Sequence, residues 1–175
     1  MSYRTTEETT EHGAARLTLL VRAPFDELRA RIETEVPEVA PADLDAVATG
    51  SLSWDDFIRG LSWEAPNGFV RLSAHDIGRV LSVAGRDAAA VSYLLVDWAA
   101  AGRIHRLDPT ALIYQPTQLL LASRGDEVAV TFDQPSAHLA SFGLNKLGQV
   151  GRELDRRLGD LLEVLDITRP AILRR

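Results

Sequence analysis

The stretch VSYLLVDWAAAGRIHRLDPTALIYQPTQLLLASRGDEVAVTFD, Val91 to Asp133, decides the fold. Val91-Ser92-Tyr93-Leu94-Leu95-Val96 is a short apolar run rich in β-formers, long enough for a strand buried on both faces. Asp97 follows, where an acidic residue can cap the helix that Trp98-Ala99-Ala100-Ala101 starts. That helix ends before Pro109, because a residue preceding proline is pushed out of the α region. Leu112-Ile113-Tyr114 and Leu119-Leu120-Leu121 read as extended runs on either side of Gln115-Pro116, a proline suited to a strand edge or bulge. Ser123-Arg124-Gly125-Asp126 is a hairpin turn. The return strand alternates, with Val128, Val130 and Phe132 on one face and Glu127, Thr131 and Asp133 on the other, so one face is buried and one is wet.

Outward from this stretch the chain keeps alternating strands with helices. Met1 to Ala15 is polar and reads as a flexible N-terminal tail. Arg16 to Arg22 alternates around Leu17, Leu19 and Val21 as a first strand. Pro24 then opens a helix carrying Asp26 and Glu27 in its first turn and Phe25, Leu28, Ile32 and Val36 at helical spacing, stopped by Pro37. Pro41 to Val47 is a short helix ending towards Gly50, and Ser53-Trp54-Asp55-Asp56 starts another that carries Phe57, Ile58 and Leu61. Phe69 to Ser73 is a strand, and Asp76 to Ala84 a helix ended by Gly85.

Downstream, Pro135 to Phe142 is a connector. A long helix runs from about Asn145 to Leu165, with an apolar stripe of Leu147, Val150, Leu154, Leu158, Leu161 and Leu165. Beside that stripe lie Gly148, Gly151, Asp155 and Gly159. An interior helix glycine costs roughly 1 kcal/mol against alanine, so something must approach this backbone: the sheet, a subunit partner or a ligand. Residues 167 to 175 are a basic tail.

A chain of 175 residues fits one domain, here residues 16 to 166, and 46% hydrophobic with 25% charged residues is ordinary globular composition. The net charge of −6 argues against nucleic acid and against anionic membranes, both of which need a basic surface. With no cysteine there is no disulfide, thiolate nucleophile or cysteine metal site. No segment has the ~20 apolar residues of a membrane helix, and the start lacks a signal peptide's apolar run, so a cytoplasmic location is expected.

Four groups of residues, in order, resemble landmarks of the domain of unknown function 302 family: Tyr93 to Trp98, Leu107-Asp108-Pro109, Tyr114-Gln115-Pro116 and Thr131 to Ser136. Gly68 to Gly78 resembles that family's glycine-led strand with its acidic turn. Ser141-Phe142-Gly143 and Arg152 to Leu158 resemble its closing helix. The resemblance spans roughly residues 16 to 166. It implies an α+β fold: a curved antiparallel sheet of about five strands with helices packed on one side, similar in layout to half of the TATA-binding protein. Residues 37 to 66 are then a helical insertion after the first helix. Many relatives carry Asn-Pro, often after cysteine, where Asp97-Trp98 stand here, and cysteine where Thr117 stands. Any thiol chemistry of the family is therefore excluded in this chain.

The resemblance implies architecture and little chemistry, and the residues carry no nucleophile elbow, phosphate loop, dinucleotide fingerprint or zinc-protease motif. Polar residues at strand ends are the candidates for a site in a groove between sheet and long helix: His75 and Asp76 for proton transfer, and Asp97, Trp98, Tyr114 and Asp133 for ligand contact. Each has a structural alternative, as helix cap, turn former or core aromatic with a polar tip. His75 and His105 are weak metal candidates, His138 lies in the connector, and His12 is set aside with the tail. Trp54 and Trp63 either anchor the insertion or form a lid or dimer contact. Three functions follow in order of preference. The first is a small-molecule-binding protein with weak acid/base chemistry, its cofactor unknown. The second is a non-catalytic dimerising or scaffolding module, with a homodimer expected. The third is a metal- or haem-binding protein with a histidine ligand.

Overall fold

The computed structural model describes residues 3–85 and 88–174. Strands β1 (Arg16–Val21), β2 (Val70–Asp76), β3 (Ala90–Val96), β4 (Thr117–Arg124) and β5 (Glu127–Asp133) form one open antiparallel sheet in the order β1-β5-β4-β3-β2. Side chains alternate across a strand, so register decides which residues share a face. Leu17, Phe132, Leu119 and Tyr93 lie side by side, and Val130, Leu121 and Val91 form the next row. All seven are buried.

Against that face pack Leu28 and Ile32 of α1 (Phe25–Glu35), Ile104 of α5 (Trp98–Leu107), and the stripe Leu147, Val150, Leu154, Leu158 and Leu161 of α7 (Asn145–Val164). Burying one such side chain fully is worth roughly 1.5–3 kcal/mol, so the stripe fixes α7 on the sheet. The space between sheet and α7 is filled.

The insertion is two helices, α2 (Pro41–Thr49) and α3 (Trp54–Glu64). The Ser53 hydroxyl accepts from the Asp56 N–H and starts α3. Phe57 and Val39 join Val70, Val96 and Ala101 in a second apolar cluster at the β2–β3 corner. Trp54 lies on Gly102 of α5, where a Cβ would stand 2.7 Å from the Trp54 ring. Trp54 thus anchors the insertion, whereas Trp63 is 83% exposed.

Four expectations are corrected. Leu112-Ile113-Tyr114 is not extended: residues Pro109–Tyr114 form a 3-10 helix, started by the Asp108 carboxylate accepting from the Thr110 N–H. Proline suits that first helical position, which the strand reading overlooked. The connector contains a helix, α6 (Pro135–Ala140), again opened by proline. The chain end does not trail away, because Ile167 and Leu173 are buried in the main core and Arg169 pairs with Asp160 and Glu163 of α7. His12, set aside with the tail, meets Tyr114 and His138.

The glycines of α7 are explained by different neighbours. A Cβ at Gly151 would stand 2.6 Å from the Ser136 Cα, so α6 is what approaches there. At Gly159 the neighbour is Arg169 of the chain end, and at Gly148 only its own Arg152 comes near, at 3.6 Å. Gly148→Ala is therefore expected to stabilise by up to ~1 kcal/mol through helix propensity. Gly151→Ala is expected to destabilise by about 1–3 kcal/mol, because backbone must move. Urea midpoints at unchanged slope check the pair, and equal shifts would show that α6 does not need Gly151.

Candidate functional site

The strand register sorts the sequence-predicted residues into separate places. Asp97, Tyr114 and Asp133 flank the end of the sheet where β3 and β5 finish and β4 begins. His75 and Asp76 end β2 at the opposite end of the sheet, where Asp76 pairs with Val91. The two ends are about 17 Å apart along β3, at ~3.4 Å per residue. Asp76 caps α4 (Ile77–Leu81) by accepting from the Arg79 N–H, and pairs with Arg29 at 3.1 Å. The Arg79 N–H first, with Arg29 beside it, outweighs desolvation and holds that carboxyl below its ordinary value. Asp76 is thus committed to structure, and His75 is exposed.

Asp97 is 1% exposed. One carboxylate oxygen accepts from the Ala100 N–H at 2.9 Å and starts α5, and the other accepts from the Arg157 guanidinium of α7. Gly68, at φ +86, leaves room for Arg157, since a Cβ there would lie 2.6 Å from Nη1. Arg157 also donates to Glu153 at 3.2 Å, and Arg103 of α5 donates to the other Glu153 oxygen at 2.7 Å. The four charges alternate in sign and tie α5 to α7. Burial pushes the Glu153 carboxyl up, but the Arg103 hydrogen bond and the charges of Arg103, Arg157 and Arg156 push it down further, to below its ordinary value.

Beside this chain of charges opens a cleft of about 540 Å3 between α3, the start of β2, the N-terminus of α5 and α7. Ile58, Leu61, Ala65 and Trp98 give it an apolar side. The Trp98 indole N–H is buried and has no acceptor among the described residues. Glu35 and Arg156 also line the cleft, and neither has an ion-pair partner among the described residues.

A second cleft, of about 420 Å3, lies at the β5 end and contains Tyr114, Asp133, His138 and Arg16. The His138 ring stacks on Tyr114, centroids 4.4 Å apart and planes at 17°. The Tyr114 hydroxyl meets His12 Nε2 at 2.7 Å. His105 sits elsewhere, in a shallow apolar groove with Trp54, Trp98 and Gly102. Among the described residues no three His, Asp or Glu side chains are grouped to hold a metal ion, and no helix is long and apolar enough to cross a membrane.

Sequence reasoning missed Arg157, Glu153, Arg16 and the part played by His138. The i, i+4 spacing of Glu153 and Arg157 was the one available signal, and it indicates a helix-surface pair rather than a partner for Asp97.

Asp97→Ala leaves Arg157, 30% exposed, without its buried partner and removes a helix cap. A loss of about 3 kcal/mol is expected, the low end for a broken buried pair because Arg157 keeps some solvent. A carboxyl held below its unfolded value contributes fully above that value and loses the contribution as pH falls through the lower folded one. Stability should therefore decline as pH drops below the ordinary glutamate value of 4.5, and Glu153→Gln should flatten that limb in thermal scans. An acid limb identical in Glu153→Gln would show that another carboxylate sets it.

No protein-family model and no curated protein matches the sequence. Among solved structures the chain is similar to the crystal structure of an uncharacterized conserved protein DUF302 from Bacillus stearothermophilus. The two are 13% identical with a TM-score of 0.61, over 86% of this chain and 97% of that one. At that identity the likeness establishes a shared fold.

Proposed function

We propose that this chain, which has the fold of the DUF302 structure, is a small-molecule-binding protein whose ligand sits in the cleft beneath α3. The observation that carries the reading is the combination of an apolar side with polar groups that lack partners. Ile58, Leu61 and Ala65 face Trp98, whose indole N–H is unsatisfied, and Arg156 and Glu35 stand at the rim without counterions among the described residues. Ligand sites are commonly concave and largely apolar with a few orienting polar groups. An unpaired buried donor costs roughly 1–3 kcal/mol, so an acceptor that meets the enclosed Trp98 N–H once the ring turns towards the cleft gains what the free protein lacks.

The ligand class that matches is a compact apolar carboxylate. Its body lies on Ile58 and Leu61, and its carboxylate takes the Trp98 N–H and Arg156. Glu35 would accept an amine, which favours an apolar amino acid over the simple acid. Arg157 is already held by Asp97 and Glu153, so it supplies a fixed positive wall rather than a mobile partner.

The three tryptophans give indole N–H resonances that distinguish the sites. Titration with branched and aromatic amino acids and with their deaminated acids is expected to move one of them, the one that Trp98→Phe removes. Arg156→Ala, on an exposed side chain, should weaken binding by about tenfold while leaving the fold intact. If the same resonance moves with protein concentration and ignores every ligand, the cleft is a contact between copies of the chain, which supports the dimerising module instead. No movement in either experiment would sink the ligand reading.

A further inference from the structure

The cleft at the β5 end is separate from the one beneath α3, and we propose that it is a second binding site, selective for a vicinal diol such as a monosaccharide or cyclic polyol. The argument rests on spacing around Asp133. His138 Nε2 stands 3.6 Å from Asp133 Oδ2, and Arg16 Nε stands 3.5 Å from Oδ1. Both gaps exceed the 2.7–3.2 Å usual for N–H···O hydrogen bonds, so neither bond is closed. Two nitrogen donors therefore flank one carboxylate, one beside each oxygen.

That carboxylate also assigns the His138 proton. A proton on Nε2 points towards Asp133, whereas the other tautomer sets a lone pair against the carboxylate. Nδ1 is buried with no partner among the described residues, so the ring has only Nε2 to present.

An oxygen atom about 2.8 Å from both Nε2 and Oδ2 can sit on the cleft side of the 3.6 Å gap, and only a group that donates and accepts at once is satisfied there. A hydroxyl is such a group, accepting from His138 and donating to Asp133. The same holds between Arg16 and Oδ1. Adjacent hydroxyls on one ring are placed to meet both oxygens of a single carboxylate, and a carboxylate or phosphate ligand would meet Asp133 with like charge. The rest of the cleft suits the two sides of such a ring. Pro116 and Leu120 offer apolar surface to C–H groups, and Gln118 and Thr131 offer further hydrogen-bonding groups. Tyr114, stacked on His138 and bonded to His12, holds the imidazole in place.

Saturation-transfer NMR on the full chain tests this with glucose, mannose, ribose, cyclohexane-1,2-diol and cyclohexanol as probes. Transfer is expected to at least one sugar and to the diol, but not to cyclohexanol, with movement of the His138 ring resonances on titration. The Asp133 side chain is 45% exposed and makes no hydrogen bond among the described residues, so Asp133→Asn should fold normally while losing at least about tenfold in affinity. Arg16→Gln, at a side chain 73% exposed, is the second variant should the first misfold, and it should weaken diols without affecting the amino-acid titration of the other cleft. Equal transfer to cyclohexanol, diol binding retained in both variants, or no transfer at tens of millimolar (water alone filling the gaps) would each overturn the proposal.

Discussion

Two buried carboxylates hold one end of this molecule together, and both act through α7. Asp97, at the end of β3, reaches up to Arg157 of α7 while capping α5. Asp155, on α7 itself, reaches down to Gln134 and Ser136, accepting from the Gln134 amide at 2.6 Å and from the Ser136 N–H at 3.0 Å. A buried carboxylate stripped of water is costly unless its oxygens are hydrogen-bonded, and every oxygen of these two accepts at least one hydrogen bond. The apolar stripe gives α7 its attraction to the sheet but little sense of where along the sheet to stop. The carboxylates give it that register, because a slide of one turn would strand two charges.

This arrangement explains why both clefts open at the same end of the sheet. Apolar side chains of the main core pack between the middle of the sheet and α7. At the strand ends the chain continues into short segments, α5, the 3-10 turn and α6, the first two started by aspartate caps. The insertion adds a third layer over one side, pinned by Trp54 on Gly102. One cleft lies beneath that layer and the other beyond α6, each with polar groups that have not been used up by the fold.

Much of the architecture was legible because its signals are local. Alternation in Val128 to Phe132, the glycine turn at Gly125, the Ser53 cap and the leucine spacing of the last helix each predict an element from neighbouring residues alone. The failures share a cause. Leu112-Ile113-Tyr114 is apolar enough for either a strand or a turn of helix, and the Asp108-Pro109 start, a local helix signal read as a turn, settled it. Leu173 stands among arginines and a few apolar residues with no clear periodicity, and its burial depends on neighbours supplied by other parts of the chain. The site residues show the same division. Asp97, Tyr114 and Asp133 were legible as polar residues at the boundaries of apolar runs. Their separation from His75 and Asp76 was not, because antiparallel neighbours finish at opposite ends of the sheet.

The sequence by itself determined most of the strands and helices, several of the caps that start them, and the absence of thiol chemistry. Those follow from side-chain periodicity and from short-range hydrogen bonding, which the chain carries wherever it goes. Only the tertiary structure decided that Arg157 completes Asp97, that Gly151 admits α6, and that Arg16 and His138, 122 positions apart, flank one carboxylate. Such pairings depend on strand order and helix docking, and no spacing within a single segment encodes them.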